Sequence, residues 1–265
     1  MGKINVLSFS VANLIAAGEV VDRPSSVIKE LLENSIDSGA TSITVEIQNG
    51  GVTYMRVADN GCGIEPDDLP VAIRRHATSK ISTKEDLEGI TTLGFRGEAL
   101  AAIASVSDMR IISKPRGASV GAVLEANCGN ITGVSERGAS EGTRVIVENL
   151  FENVPARRKF LKSTQTELSN IITDFERIVL VHPDISFTLY NNGTEIYKLD
   201  KASVKQRILD VFGKKINAEL LPLEADTSLV SISGYVGKPE NSKKKGARQF
   251  FFVNGRYMKH PYFHS

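Results

Sequence analysis

Asp59-Asn60-Gly61-Cys62-Gly63 follows a strand-like run, opens on a carboxylate and holds two glycines that let a flat ligand approach the backbone. A carboxylate so placed can accept a hydrogen bond from an exocyclic amine, although a lone D-x-G-x-G also serves as a structural turn. A second stretch, Leu93-Gly94-Phe95-Arg96-Gly97-Glu98-Ala99-Leu100, is glycine-rich and runs into a helical pattern, where free backbone N–H groups favour a phosphate. A third set, Glu30, Asn34 and Asp37, falls at i, i+4 and i+7 and so projects as one polar stripe. An amide between two carboxylates is suggestive, but such a stripe on a helix alone is ordinarily a solvated face. G-x-x-x-x-G-K-[ST] is absent and Gly61-Cys62-Gly63 does not continue as G-x-G-x-x-G, so P-loop and Rossmann binding lose their support.

These residues need elements to hold them. Val27, Ile28, Leu31, Leu32 and Ile36 recur at helical spacing and Gly39 follows as a stop signal, which predicts a helix over 25–37 opposite the polar stripe. Alternating segments 43–47 and 52–57, separated by Gln48-Asn49-Gly50-Gly51, predict a hairpin leading into the Asp59 loop. A short helix over 70–75 and a long polar loop over 76–93, able to move, come next. Gly97 opens a second apolar helix, and strands are expected at 109–113, 120–125 and 143–147. A single long helical pattern spans 151–181, closed by His182-Pro183, before a hairpin of 185–190 and 195–199. Beyond a boundary near Asp200, a helix over 204–212 ends at Gly213, and strands near 230–236 and 250–253 are joined by a basic loop. Helices layered on strands make an α+β unit.

The ordered set Glu30-x-x-x-Asn34-x-x-Asp37, Asp59-Asn60-Gly61-Cys62-Gly63, Gly94-Phe95-Arg96-Gly97-Glu98 and Gly142-Thr143 resembles the four-motif Bergerat ATP-binding fold. The finer words Ile15-Ala16-Ala17-Gly18-Glu19-Val20-Val21, Arg75-His76-Ala77-Thr78-Ser79-Lys80 and Pro155-Ala156-Arg157-Arg158-Lys159-Phe160-Leu161 resemble the MutL mismatch-repair family within that superfamily. They span most of residues 1–161. The resemblance implies a two-layer α/β sandwich of the Bergerat type over 1–200. After it, Phe252-Val253-Asn254-Gly255-Arg256 is similar to part of that family's α/β transducer domain, here 201–265 and expected to be incomplete. Ser38 stands where the family usually has Ala, and a small side chain fits there.

The resemblance also implies roles. Glu30 matches the base that orients the attacking water and Asn34 the Mg²⁺ ligand, within a cofactor site that includes Asp37. Asp59 reads the adenine amine, assisted by Thr143, while Gly63 lets the base lie close. Thr78, Lys80, Gly94, Phe95, Arg96, Gly97 and Glu98 belong to a lid over the phosphates; for His76 a hydrogen-bonding place in that lid is the simpler reading. The implied activity is Mg-dependent ATP hydrolysis with lid ordering and nucleotide-dependent homodimer formation, alongside mismatch-recognition and downstream repair proteins. A topoisomerase ATPase subunit and a nucleotide-switched chaperone or adaptor are the rivals.

Composition sets outer limits. The chain has 265 residues, 41% hydrophobic and 24% charged, which excludes a disordered or collagen-like polymer. With 32 Lys+Arg against 31 Asp+Glu, no global charge drives it to nucleic acid or membrane, so any such partner must meet a local patch. The strongest patch holds Lys243, Lys244, Lys245, Arg248 and Arg256; clustered cations are usually solvated, and the resemblance adds DNA as an expected partner. For Arg157 and Arg158 it implies a buried structural or interface role instead. Cys62 and Cys128 form no C-x-x-C pair, so a disulfide framework and a zinc site are not expected. No apolar run nears the ~20 residues of a membrane helix, and a reducing, cytoplasmic setting is expected.

Overall fold

In the computed structural model, residues 5, 17–83, 85–87, 89, 92–94, 96–241 and 248–259 are described. Phe95, Lys243, Lys244 and Lys245, expected in the lid and the basic patch, lie outside them. Packing divides the chain into two compact units, Met1–Phe175 with Phe187–Lys198, and Glu176–Ser186 with Leu199–Ser265.

The elements in chain order are α1 (Pro24–Asp37), β1 (Ser42–Gln48), β2 (Tyr54–Asp59), α2 (Leu69–Ala72), α3 (Ala99–Ser105), β3 (Asp108–Lys114), β4 (Gly121–Asn127), β5 (Asn130–Arg137) and β6 (Gly142–Glu148). They continue as α4 (Pro155–Phe160), α5 (Thr164–Val181), β7 (Ser186–Asn191), β8 (Thr194–Leu199), α6 (Val204–Phe212), β9 (Leu220–Asp226), β10 (Ser231–Gly237), β11 (Phe252–Val253) and β12 (Arg256–Tyr257).

The first unit is built on one eight-stranded sheet in the order β5-β4-β3-β6-β2-β1-β7-β8. Strand alternation decides its two faces. Ile43, Val45 and Ile47 of β1, Met55 and Val57 of β2, and Val145 and Val147 of β6 are buried on one side. Against that side lie α1 on β2 and α3 on β3 and β4, while Phe175 of α5 stacks on Tyr197 of β8, ring centroids 5.6 Å apart, and meets Phe187 of β7 edge-on. The other side carries ion pairs across strands: Arg56 with Glu46, and Arg110 with Glu125 at 3.1 Å and Glu148 at 3.7 Å. Such partly exposed pairs add little stability each, but they keep this face wet. The result is the two-layer α/β architecture expected from the motifs.

The structure corrects the sequence reading in several places. The single helical pattern over 151–181 is two helices, because Leu161 leaves the helix with φ −59° and ψ 142°. Ser163 then caps α5: its Oγ accepts from Thr166 N at 3.3 Å, and the Glu167 carboxylate reaches back to Lys162 N at 2.8 Å. Strand β5 was not expected; it pairs with β4 across Cys128 and Gly129, both at positive φ. Strand β9, which pairs with β10, was also missed, and so was β12, which pairs with β11. Among the described residues no helix is long and apolar enough to cross a membrane.

In the second unit, Ser203 caps α6 by accepting from Gln206 N, and Gly213 ends it at φ 92°. Arg207 on this helix is completely buried. Its guanidinium donates to the carbonyls of Val179 (3.0 Å), Pro183 (3.3 Å), Ile185 (2.7 Å) and Asp200 (3.0 Å), with His182 O at 3.5 Å. A cation there satisfies the orphan carbonyls at the end of α5 and ties both chain passages of the unit to α6. Burial lowers its pKa, which makes the carbonyl shell the compensation for a desolvated charge. Nearby, Phe212 packs on Phe250 at 5.4 Å, Arg177 lies over Tyr257 at 4.4 Å, and Arg248 lies over Phe212 at 4.6 Å. Arg207→Met should therefore lower unfolding free energy by roughly 3 kcal/mol or more, since several buried acceptors lose their donors together. A urea titration checks this, and an unchanged midpoint would contradict the clamp.

Candidate functional site

The Asp59 loop leaves the end of β2, an interior strand between β6 and β1. Asp59 Oδ1 accepts from Gly61 N at 2.9 Å and Thr143 N at 3.2 Å, and Oδ2 accepts from Ser35 Oγ at 2.9 Å. These donors come from the loop itself, from β6 and from α1. Burial pushes the Asp59 carboxyl above its ordinary value, and the three hydrogen bonds oppose that rise without cancelling it. The Thr143 hydroxyl pairs with Ser113 Oγ at 2.9 Å, and Ser113 Oγ also accepts from Ile64 N at 2.8 Å. Asn60 anchors the loop by accepting from Thr41 N and Ser42 N at 2.8 and 2.9 Å.

The loop glycines serve the protein's own packing. A Cβ on Gly61 would stand 1.8 Å from Ser38 Oγ, and one on Gly63, at φ 79°, would stand 2.4 Å from Lys114 O. Ser38, the departure from the family pattern, fits by donating to Ser35 O at 2.7 Å.

On the polar face of α1, Asp37 is the organising group, with its side chain only 6% exposed. It accepts from Leu93 N at 2.9 Å, Gly94 N at 3.0 Å and Lys80 Nζ at 2.5 Å. Lys80 Nζ also donates to Asn34 Oδ1 at 2.9 Å. Four of the expected residues, Asn34, Asp37, Lys80 and Gly94, are thus brought together. Two side-chain oxygens, Asn34 Oδ1 and Asp37 Oδ2, already bond the Lys80 ammonium, and oxygen donors suit a hard divalent ion such as Mg²⁺. Among the described residues no group of three or more His, Cys, Asp or Glu could hold a metal. Glu30 lies one turn before Asn34, with Lys29 Nζ at 3.2 Å from its carboxylate and 3.1 Å from that of Glu33. Burial raises the Glu33 carboxyl, opposed by Lys29.

The other described residues expected in the lid form a separate cluster. His76, Thr78, Ile81, Ser82, Thr83, Arg96 and Glu98 line a groove of about 450 Å³. Glu98 faces Arg75 Nη2 at 3.6 Å and His76 Nδ1 at 3.4 Å, and Thr78 Oγ1 accepts from Lys80 N at 3.1 Å. A Cβ on Gly97 would stand 2.4 Å from Ala77 O, so the segments around 76 and 97 can lie together only with glycine there. The helix expected to open at Gly97 begins at Ala99. Arg157 of α4 lays its guanidinium where a Cβ on Gly18 would be, 2.1 Å from Nη2, and its Nη1 is buried, so two of the family-like words meet; Arg158 is exposed. In the second unit Arg248 and Arg256 are both exposed.

Sequence reasoning missed Ser35 and Ser113. Both are buried serines, and a buried hydroxyl must find a partner; Ser35 sits at helical spacing with Ile28, Leu31 and Leu32, which could have marked it.

Residues 22–146 match the family described as histidine kinase-, DNA gyrase B- and HSP90-like ATPase, and residues 208–265 match the DNA mismatch repair protein C-terminal domain. Over 261 residues the chain is 54% identical to the DNA mismatch repair protein MutL of Phocaeicola vulgatus and 52% to that of Parabacteroides distasonis, covering 98% of this chain and 42% of each relative. The structure described as the Aquifex aeolicus MutL ATPase domain complexed with ADP is 32% identical, with a TM-score of 0.72, over 92% of this chain and 85% of that one. The chain belongs to the MutL family. It spans 42% of the length of these curated MutL relatives. The MutL match over both units replaces the topoisomerase alternative, since a gyrase-type ATPase would share only the first of the two family matches.

Because its folded-state pKa is raised, ionised Asp59 costs folding free energy at neutral pH, and the cost fades as pH falls toward 3.8, where the unfolded chain also takes up the proton. Asp59→Asn should accordingly be more stable than the parent at pH 7, with the difference shrinking on acidification. Denaturant melts at the two pH values check this; a difference independent of pH would contradict burial as the dominant influence.

Proposed function

We propose that this chain binds ATP with Mg²⁺ and hydrolyses it, as the N-terminal ATPase region of a MutL-type mismatch-repair protein. The observation that carries the reading is the junction of α1 with the lid, where Asn34 and Asp37 meet Lys80, Leu93 and Gly94. The same helix reaches the Asp59 loop through Ser35. One rigid element thereby spans a purine-reading carboxylate and a phosphate-closing lid.

In this reading the ionised Asp59 accepts from the adenine 6-amine, and guanine, which presents a carbonyl oxygen there, meets acceptor with acceptor. The Thr143 hydroxyl supports the base beside it, and the backbone at Gly63 lies against the ring. The backbone of Gly94 to Gly97 and the Lys80 ammonium gather over the phosphates, where negative charge is densest. Thr78, Phe95, Arg96 and Glu98 complete the lid. Glu30 orients a water in line with the γ-phosphorus and takes its proton as the new P–O bond forms and the bond to the ADP oxygen breaks. Asn34 would hold Mg²⁺, which would supply neutralising charge to the phosphate oxygens.

The division into an ATP-binding domain over 1–200 and a transducer segment over 201–265 belongs to the same proposal, supported by the two family matches. So do a nucleotide-dependent homodimer, a cytoplasmic setting, DNA contact through Lys243, Lys244, Lys245, Arg248 and Arg256, and engagement with other repair proteins.

Glu30→Ala tests the chemistry. It removes the base while leaving Asn34, Asp59 and the lid, so ATP-analogue affinity should hold while phosphate release drops by about 10²–10⁴-fold. Parental turnover in this variant would remove Glu30 from the mechanism.

A further inference from the structure

Lys80 holds a position that two demands compete for. Its ammonium bonds the same Asn34 oxygen that the proposed function assigns to the metal, at 2.9 Å, while a second bond of 2.5 Å ties it to Asp37. Asp37 is nearly closed from solvent and uses both oxygens, one for Leu93 N and the other for Gly94 N together with Lys80. Gly94 closes over the pair so tightly that a Cβ there would stand 3.2 Å from Lys80 Nζ and 3.6 Å from Asn34 Oδ1. The ammonium is thus enclosed by one amide oxygen, one buried carboxylate and the lid backbone.

We propose that Lys80 and the divalent metal exchange at Asn34: without nucleotide the ammonium occupies the metal's place and keeps the lid segment pinned to α1, and arrival of metal with nucleotide displaces it toward the phosphates. This rests on the reading of Asn34 as the metal ligand. A divalent ion on Asn34 Oδ1 would share that oxygen with a second cation, and their repulsion in a shielded site makes joint occupancy unfavourable. Metal alone is a poor competitor, since Mg²⁺ gives up water reluctantly and Asn34 offers a neutral oxygen. Metal carried by nucleotide phosphates is a strong one, because the phosphates supply both the missing ligands and a new anionic partner for the freed ammonium. Lys80 is in this account a gate on the metal position as well as a phosphate contact. The exchange couples loading of the site to release of the Lys80 ammonium from Asn34 and Asp37.

The test uses Mn²⁺ as the probe, with the free ion followed by electron paramagnetic resonance, on the 265-residue chain. Without nucleotide, Lys80→Met should bind Mn²⁺ more tightly than the parent, by on the order of tenfold, a coupling of ordinary size for two ligands sharing one site. Lys80→Arg keeps the charge and should stay as weak as the parent, and adding Asn34→Ala to Lys80→Met should abolish the gain. With ADP present the order reverses, and Lys80→Met should bind Mn²⁺–ADP less tightly than the parent. Lys80→Gln carries the same expectations should the methionine variant fail to fold. If neither variant gains Mn²⁺ affinity while Asn34→Ala still weakens Mn²⁺–ADP binding, the exchange is overturned and the metal site stands. If Asn34→Ala leaves Mn²⁺–ADP binding intact, the metal reading falls and the exchange falls with it.

Discussion

The hydrogen bond from Ser35 Oγ to the Asp59 carboxylate, 2.9 Å long, joins the helix that carries the polar stripe to the strand end that carries the loop. Helix α1 buries Val27, Ile28, Leu31 and Leu32 on the sheet, which fixes its rotation and turns Glu30, Asn34 and Asp37 outward as a set. Ser35 then fixes its position along the strand. Asp59 is held at once by α1, by its own loop and by β6, so a shift of any one of them would leave a part-buried carboxylate short of a donor. Such a site is preorganised by the core beneath it.

The proposed lid, in its described residues Lys80, Leu93 and Gly94, has the opposite character. It is attached through backbone donors at Leu93 and Gly94 and through one long lysine, all converging on Asp37. A carboxylate with a few charge-assisted contacts can release them when a better set of charges arrives, whereas the hydrophobic seat of α1 cannot. Rigid chemistry on the helix and replaceable contacts in the lid are what a nucleotide switch needs, and both meet on the face of one element.

Much of this was legible in residue order. The stripe of Glu30, Asn34 and Asp37 followed from the apolar spacing of α1, and the hairpin of β1 and β2 from alternation around Asn49-Gly50-Gly51. Strand β5 was not legible because it is an exposed edge with no buried residue to make an alternating pattern, and β9 carries Pro222, which argues against a strand until the partner is known. The break between α4 and α5 hides among good helix formers, and only the Ser163 cap marks it. Arg207 reads as an ordinary surface arginine, since nothing in its helical spacing shows that carbonyls from 179–185 and from Asp200 will surround it. The grip of Asp37 on Leu93 N, 56 positions away, involves a backbone group and leaves no trace in side-chain types.

One face of α1, keyed to Asp59, is the proposed single site for base, metal and phosphate. The most direct measurement is a crystal structure of this chain with a non-hydrolysable ATP analogue and Mg²⁺. The account predicts the adenine amine on the Asp59 carboxylate, the metal on Asn34 Oδ1 and the Lys80 ammonium moved from Asn34 to the phosphates. A nucleotide bound elsewhere, or bound here with Lys80 still on Asn34 and the metal away from it, would contradict the account.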